Sequence, residues 1–303
     1  MSTAITLVNQ TLIMFLLAGV GYFLFRTKRI SLEGSKSLAN ILIYIVLPCV
    51  IVNGFLVERT TERMIGLLVS AAAAAILLVV AMVVSRLFFP KDAIASFSAA
   101  FSNAGFFGIP LTLASLGSGA VFYVAAFIAF LNLLQWTYGV SIMTGEKAAL
   151  KPAAVLKAPF LIAIAIGLIL FFTQLPLPSI VTKTLGHLTG INTPLAMFTV
   201  GIYLAQTNLV KMLVKPRLYL ISAVRLVVIP LLSLALLTLI PGNFIDMKMA
   251  LLLAAACPVG SNVAVYAQLH GKDYPYAVET VIISTLLSIV TVPALVALAG
   301  IIW

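Results

Sequence analysis

Ten apolar segments follow one another along this chain, each about as long as a bilayer's hydrocarbon core is thick. They lie at residues 4–25, 36–57, 64–89, 92–116, 119–143, 154–174, 178–206, 217–240, 246–270 and 275–301, and are numbered here as spans 1 to 10. A helix needs about 20 apolar residues to cross a membrane. Because lipid offers no hydrogen bonds, each segment must pair its own backbone N–H and C=O groups, as a helix does. The pattern predicts an all-α polytopic membrane protein with ten transmembrane helices.

The composition excludes a water-soluble fold. Hydrophobic residues make up 63% of the chain and charged residues 9%, whereas a soluble domain carries roughly 25% charged residues. A net charge of +10 would suggest a polyanionic partner in a soluble protein. Here the basic residues concentrate in short loops between the spans. We therefore predict the lipid bilayer, and no nucleic acid, as a partner.

The basic residues also predict the orientation. If the loops after the odd-numbered spans are cytoplasmic, that side carries thirteen Lys and Arg residues and the opposite side four, in agreement with the positive-inside rule. Arg26, Lys28 and Arg29 follow the first span, whereas a signal peptide has its basic residues before the apolar stretch. We expect a multi-pass protein of the cell (inner) membrane that retains span 1 and has both termini outside.

Two spans are interrupted at matching places. Span 4 contains Ser-Asn-Ala-Gly-Phe-Phe-Gly-Ile-Pro-Leu at residues 102–111, and span 9 contains Ala-Cys-Pro-Val-Gly-Ser-Asn at residues 256–262. Glycine and proline interrupt the helical ladder and free backbone groups that lipid cannot satisfy. Interruptions at corresponding positions of two halves are the best sequence pointer to a transporter's binding site.

Proline spacing predicts that the two halves are repeats. Pro110 and Pro258 lie 148 residues apart, and Pro48 and Pro194 lie 146 residues apart. The chain would divide into residues 1–150, with spans 1 to 5, and residues 151–303, with spans 6 to 10. Because each half has an odd number of spans, the second half enters the membrane inverted. Inverted repeats commonly hold their substrate where they meet near the midplane, so we expect broken helices 4 and 9 to cross there.

The chemistry of the two breaks suits an anion. Proline is tolerated at the first position of a helix, so we expect Pro110 and Pro258 each to start a half-helix. The free N–H groups and partial positive charge of a helix N-terminus attract anions. The alternative is that the breaks only kink helices for packing. The substrate-binding residues predicted at the breaks are Asn103, Gly105, Gly108, Pro110, Pro258, Ser261 and Asn262.

Three further residues within spans are candidates for function. Arg225, in span 8, is predicted to bind a substrate carboxylate, which arginine can grip through two hydrogen bonds. The alternatives are a side chain that extends to the interface or an ion pair with Glu279. Glu279, in span 10, is either a proton carrier or that partner. Gln135, in span 5, either lines the substrate pocket or makes an interhelical hydrogen bond.

At the breaks the chain resembles the auxin efflux carrier family, which includes plant auxin carriers and bacterial organic-acid permeases. The segments that carry the resemblance are residues 103–111, residues 257–262 with 266–271 after them, and residues 283–293. The resemblance implies a scaffold part (spans 1, 2, 6 and 7) that moves against a transport part (spans 3–5 and 8–10). It also implies that Asn103, Pro110, Pro258 and Asn262 surround the substrate. The central linker is about ten residues long, which is typical of a bacterial member.

We therefore predict a secondary active transporter that moves a small organic anion, such as malate, malonate or an auxin-like acid, by alternating access. No phosphate-binding loop, zinc pattern or Ser/His/Asp set occurs in the sequence, so neither catalysis nor a cofactor is expected. Coupling to H⁺, coupling to Na⁺ and uniport all stay open, as does a homodimer. The alternative functions are a sodium-coupled carrier resembling the bile-acid symporters, a membrane sensor and a channel.

Overall fold

The computed structural model describes residues 3–145, 158–206 and 212–303, and these residues form helices joined by loops, with one isolated β-bridge. The helices are numbered in chain order. They are α1 (Thr3–Arg26), α2 (Leu32–Phe55), α3 (Thr61–Phe88), α4 (Ala93–Ala100), α5 (Ala104–Leu116), α6 (Ser118–Thr144), α7 (Pro159–Thr173), α8 (Ser179–Ala205), α9 (Pro216–Thr238), α10 (Ile245–Ala256), α11 (Asn262–Leu269) and α12 (Tyr274–Ile302). A short 3₁₀ turn, Gly242–Phe244, precedes α10.

Among the described residues, seven helices are long and apolar enough to cross a membrane: α1, α2, α3, α6, α8, α9 and α12. Helices α5 and α7 are apolar but shorter. Spans 4 and 9 each consist of two short helices, α4 with α5 and α10 with α11. The prediction of a helical protein with many membrane-spanning segments is confirmed. The linker near residue 150, where the two halves were predicted to divide, lies outside the described residues.

Three helices widen locally where a proline interrupts their hydrogen bonds. In each, a π-helical turn ends two residues before a proline: Leu42–Val46 before Pro48 in α2, Ala104–Gly108 before Pro110 in α5, and Val224–Val228 before Pro230 in α9. Proline has no N–H to donate to the carbonyl four residues earlier. The helix continues past it by shifting to the wider turn, a feature found often at functional sites.

Helices α1 and α8 touch through their backbones. A Cβ atom on Gly201 would overlap the carbonyl oxygen of Ala18, and a Cβ atom on Gly21 would overlap the backbone of Phe198. Small residues allow this approach, which is a common way to pack helices in membranes. The contact joins spans 1 and 7 into one tightly packed pair.

Ion pairs tie together the ends of α4, α9 and α12. Asp92 Oδ2 accepts hydrogen bonds from Arg217 and from the hydroxyl of Tyr276, at 2.9 and 3.0 Å. Lys215 Nζ lies 2.7 Å from each carboxylate oxygen of Glu279. These contacts hold the first turn of α4 against the starts of α9 and α12.

Candidate functional site

The two breaks lie directly against each other. The break in span 4 covers residues 101–103, between α4 and α5, and the break in span 9 covers residues 257–261, between α10 and α11. They are joined by an antiparallel bridge between Ser102 and Val259 and by two flanking hydrogen bonds, Asn103 N to Pro258 O at 2.8 Å and Gly260 N to Phe101 O at 2.9 Å. Each break thereby satisfies backbone groups that the other exposes, as a buried irregular segment must.

The prediction that the prolines start the half-helices is wrong for Pro258, and for Pro110 it holds only for the α-helical part of α5, Ile109–Leu116, which follows a π-helical turn. Helix α5 begins at Ala104, because the carbonyl of Asn103 already accepts hydrogen bonds from the backbone N–H groups of Phe107 and Gly108, at 3.0 and 3.1 Å. Its π-helical turn accommodates Pro110 without ending the helix. Helix α11 begins at Asn262, four residues after Pro258, because the bridge holds the intervening residues out of a helix.

Four helix ends therefore meet where the breaks at residues 101–103 and 257–261 touch, a place called the crossing here. Helices α4 and α10 finish there with their carbonyl ends, and α5 and α11 begin there with their amide ends. The first N–H groups of a helix have no acceptor within the helix. They give that end a partial positive charge of roughly half an elementary charge, and the carbonyl end carries the opposite sign.

A cavity of about 390 Å³ opens beside the amide ends. No charged side chain is among the described residues that line it. The lining residues are Ile43, Tyr44, Leu47, Ile51, Ser102, Asn103, Gly105, Phe106, Ile109, Ile128, Leu131, Asn132, Trp136, Ala158, Pro159, Phe160, Gly260, Ser261, Asn262, Val265 and Tyr266. The walls are thus largely apolar and aromatic, with polar groups concentrated at the two breaks.

The predicted glycines and prolines divide into two groups. Gly105 lines the cavity, and a Cβ atom there would have only Leu47 within reach, at 4.0 Å. Gly108 instead lets α5 pack against α10, because a Cβ atom there would lie 2.9 Å from Cys257 Sγ. Among the described residues Gly108, Pro110 and Pro258 do not line the cavity. They shape the crossing, whereas Gly105 leaves space beside it.

Amide side chains at the breaks keep donors that are not used within the protein. Asn262 Nδ2 donates to Gln135 Oε1 at 2.8 Å, but among the described residues Gln135 itself does not line the cavity. In the described part of the chain, Gln135 Nε2, Asn103 Nδ2 and Ser102 Oγ are buried without a hydrogen-bond partner. A buried donor without an acceptor is costly. Two of these groups, Asn103 Nδ2 and Ser102 Oγ, belong to residues that line the cavity.

Arg225 lies at the crossing but not in the cavity. It is 1% exposed and sits in the π-helical turn of α9. Its Nη1 donates to the carbonyl oxygens of Ala99 and Ala100, both at 3.1 Å, and its Nη2 donates to the carbonyl oxygen of Ala255. The alternative pairing with Glu279 is wrong, because Glu279 binds Lys215 instead. The alternative that the side chain extends to the interface is also wrong, because the guanidinium is buried.

Sequence reasoning missed the side of the cavity formed by α2 and by the start of α7. Tyr44 and Leu47 lie in and just after the π-helical turn of α2, and Pro159 and Phe160 begin α7. The signal that points to α2 is Pro48, whose pairing with Pro194 indicates a locally irregular helix. Tyr266, in α11, was also not predicted to line the pocket, although it lies within a motif that carries the family resemblance.

The chain is similar to known proteins over nearly its whole length. A family model described as "Membrane transport protein" matches residues 6–296. A protein of Rhizobium meliloti (strain 1021) named "Putative malonate transporter" is 29% identical over 228 residues, which cover 69% of this chain and 69% of that protein. The family match includes both breaks and every residue that lines the cavity.

Proposed function

The chain belongs to the membrane transport protein family, as its resemblance to the auxin efflux carriers predicts, and we propose that it is a secondary active transporter of a small organic anion. One observation carries the proposal. The cavity meets the amide ends of two half-helices, and buried amide donors beside it have no partner within the described residues. Amide ends and unpaired N–H groups bind carboxylates without needing a cationic side chain.

The chemistry of the lining favours an anion over a cation. No carboxylate lines the cavity in the described part of the chain, and a cation would meet two partial positive charges there. The aromatic and aliphatic walls, including Phe106 and Trp136, suit the carbon skeleton of an organic acid. A volume of about 390 Å³ lies within the range of about 300–1,000 Å³ typical of small-molecule sites.

We further propose that the chain crosses the cell membrane ten times as two inverted repeats, residues 1–150 and 151–303, with both termini outside. In the residues that the structure describes, the predicted spans coincide with a helix or with a pair of short helices. The proposal is supported by the antiparallel bridge between Ser102 and Val259, which joins the break of span 4 to the break of span 9, because inverted repeats commonly meet near the midplane. The scaffold part would contain α1, α2, α7 and α8, and the remaining helices would move against it.

Short dicarboxylates are the first substrates to test, because a relative's name specifies malonate. We expect purified protein in liposomes to take up labelled malonate or malate, with saturation. Liposomes without protein provide the control, and auxin-like monocarboxylates complete the panel. Flux that does not saturate would indicate a channel, and binding without flux would indicate a sensor. If intact protein transports no anion of the panel, the proposed function is wrong.

Glu279 is the residue that we propose for proton coupling. It is 8% exposed and pairs with Lys215, which directly precedes α9. A proton on Glu279 would neutralise the carboxylate and break the pair that joins α9 to α12. Glu279→Gln mimics this state permanently, so we expect uptake to lose its response to an imposed pH gradient. Lys215→Met removes the pair that the proton would break, so we expect it to lose the response as well. If it keeps the response, the pair is not the element through which the proton acts.

The same liposomes separate the coupling ions. Uptake is measured with a pH gradient, with a sodium gradient, and with neither. Uptake that follows sodium alone, in the wild type and in Glu279→Gln equally, would contradict proton coupling and favour a carrier resembling the bile-acid symporters. Uptake that responds to neither gradient would indicate uniport.

A further inference from the structure

Arg225 is bonded to both broken helices at once. Its guanidinium donates to Ala99 and Ala100, at the end of α4, and to Ala255, at the end of α10. Both salt bridges in the described part of the chain lie elsewhere, so its charge is compensated by carbonyl dipoles and not by a carboxylate. A buried charge is costly unless it is well bonded. The carbonyl oxygens that accept from its terminal nitrogens belong to the ends of the two broken helices, whereas its Nε has no partner in the described residues.

The four helix ends at the crossing would cancel without it. The amide ends of α5 and α11 contribute roughly +0.5 elementary charge each, and the carbonyl ends of α4 and α10 contribute roughly −0.5 each. The carbonyl ends would then weaken the attraction that the nearer amide ends exert on an anion in the cavity. Arg225 adds one positive charge directly on the two carbonyl ends, because its donors contact both.

We propose that Arg225 is a positioning residue that makes the crossing selective for anions. It neutralises the carbonyl ends of α4 and α10, so that the amide ends of α5 and α11 determine the field in the cavity. It also ties the two half-helices together across the crossing without touching the substrate. This proposal rests on the proposed function, because it concerns the same cavity and the same anion.

The planar guanidinium is needed for the second part of this role. Arginine presents donors in a rigid fork, whereas lysine carries a single compact charge on a flexible stem. In the structure, one terminal nitrogen bonds to α4 and the other to α10. We expect Arg225→Lys to keep the charge and lose one of the two attachments, and Arg225→Met to lose both the charge and the attachments.

The test compares ligands of different charge. Binding of malonate (a dianion), monomethyl malonate (a monoanion) and malonamide (neutral) is measured by calorimetry on detergent-purified protein. For Arg225→Met we expect affinity to fall about tenfold for each ligand charge, the interaction of unit charges about 10 Å apart at an effective dielectric constant near 20. Arg225→Lys should keep the wild-type preference for the more highly charged ligand. If malonamide binds too weakly to measure, the affinities of malonate and monomethyl malonate alone are compared.

A matched control lies on the same helix. Arg217→Met removes an identical charge from α9, but Arg217 is half-exposed and bonds to Asp92, away from the carbonyl ends. It should leave the dependence on ligand charge unchanged. A purely structural Arg225 would lower the affinity for all three ligands by the same factor, and that result, or unchanged affinities, would overturn the proposal. If Arg225→Met does not fold, Arg225→Gln and Arg225→Lys give the same comparison. Wild-type protein that binds no anion would instead refute the proposed function.

Discussion

Asn103→Ala is expected to raise the Kd of the transported anion about tenfold to a hundredfold without unfolding the protein. The side-chain Nδ2 is buried and has no partner in the described part of the chain, so a bound carboxylate is its natural acceptor. A hydrogen bond to a charged group is worth roughly 1.5–3 kcal/mol, and every 1.4 kcal/mol is about tenfold in affinity. Equilibrium binding and the KM for uptake in liposomes measure the loss.

The bonds by which Asn103 holds the crossing together use only its backbone atoms, so the substitution tests the side chain alone. Its N–H bonds to Pro258, and its carbonyl accepts hydrogen bonds from Phe107 and Gly108. None of these bonds depends on the side chain. The crossing should therefore persist in Asn103→Ala, with an unfolding temperature close to that of the wild type.

Asn132→Ala is the matched control for Asn103→Ala. Asn132 is the same residue type and lines the same cavity, but its Nδ2 already donates to the carbonyl oxygen of Ile128 at 2.9 Å. We expect at most a severalfold change in affinity. Equal losses in the two variants would mean that the cavity, and not the unpaired donor at the break, determines binding.

The sequence identifies the breaks because their cause is local. Glycine and proline change the backbone wherever they occur, so the two interruptions and their matching offset are visible without a structure. Ser102, Asn103, Ser261 and Asn262 lie in those interruptions, and the structure brings all four to the wall of one cavity. Polar residues at an unwound segment in lipid have few other environments available, which is why the sequence predicts that they lie together.

The first residue of each half-helix could not be read from proline positions. A proline two residues beyond a π-helical turn is tolerated without a helix end, as Pro110 is in α5. Where a helix begins depends instead on which carbonyl group accepts its first backbone hydrogen bonds. For α5 that acceptor is the carbonyl of Asn103. For the span 9 break, a bridge to a residue more than 150 positions earlier keeps the chain out of a helix.

The hydrogen-bond partners of Arg225 could not be predicted from the sequence either. A charge count within the spans favours Glu279, because carboxylates are the usual partners of arginine. The structure supplies instead three backbone carbonyls from two other helices. Backbone acceptors have no sequence signature, so only the packing of α9 against both breaks reveals them. The same limit applies to Tyr44 and Phe160, which reach the cavity through the packing of α2 and α7.

Gly201→Ala is expected to destabilise the protein by about 3 kcal/mol or more and to abolish most transport. The added Cβ would overlap the carbonyl oxygen of Ala18, a backbone atom that cannot move unless α1 and α8 separate. Overpacking a tight contact with movable side chains costs about 1–3 kcal/mol, and a backbone obstacle should exceed that. Since α1 and α8 belong to the proposed scaffold, their separation would remove the surface against which the transport part moves.

Gly19→Ala, on α1, separates this effect from the conformational preference of glycine. In the described part of the chain, no atom beyond the surrounding backbone of α1 lies within 4 Å of a Cβ atom placed on Gly19. Alanine favours a helix interior by about 0.5–1 kcal/mol over glycine, so this variant should be as stable as the wild type or slightly more stable. The two variants, made by the same chemical change, should therefore shift the unfolding temperature in opposite directions. Thermal unfolding in detergent measures both, and a Gly201→Ala protein that matches Gly19→Ala would mean that α1 and α8 are not in backbone contact.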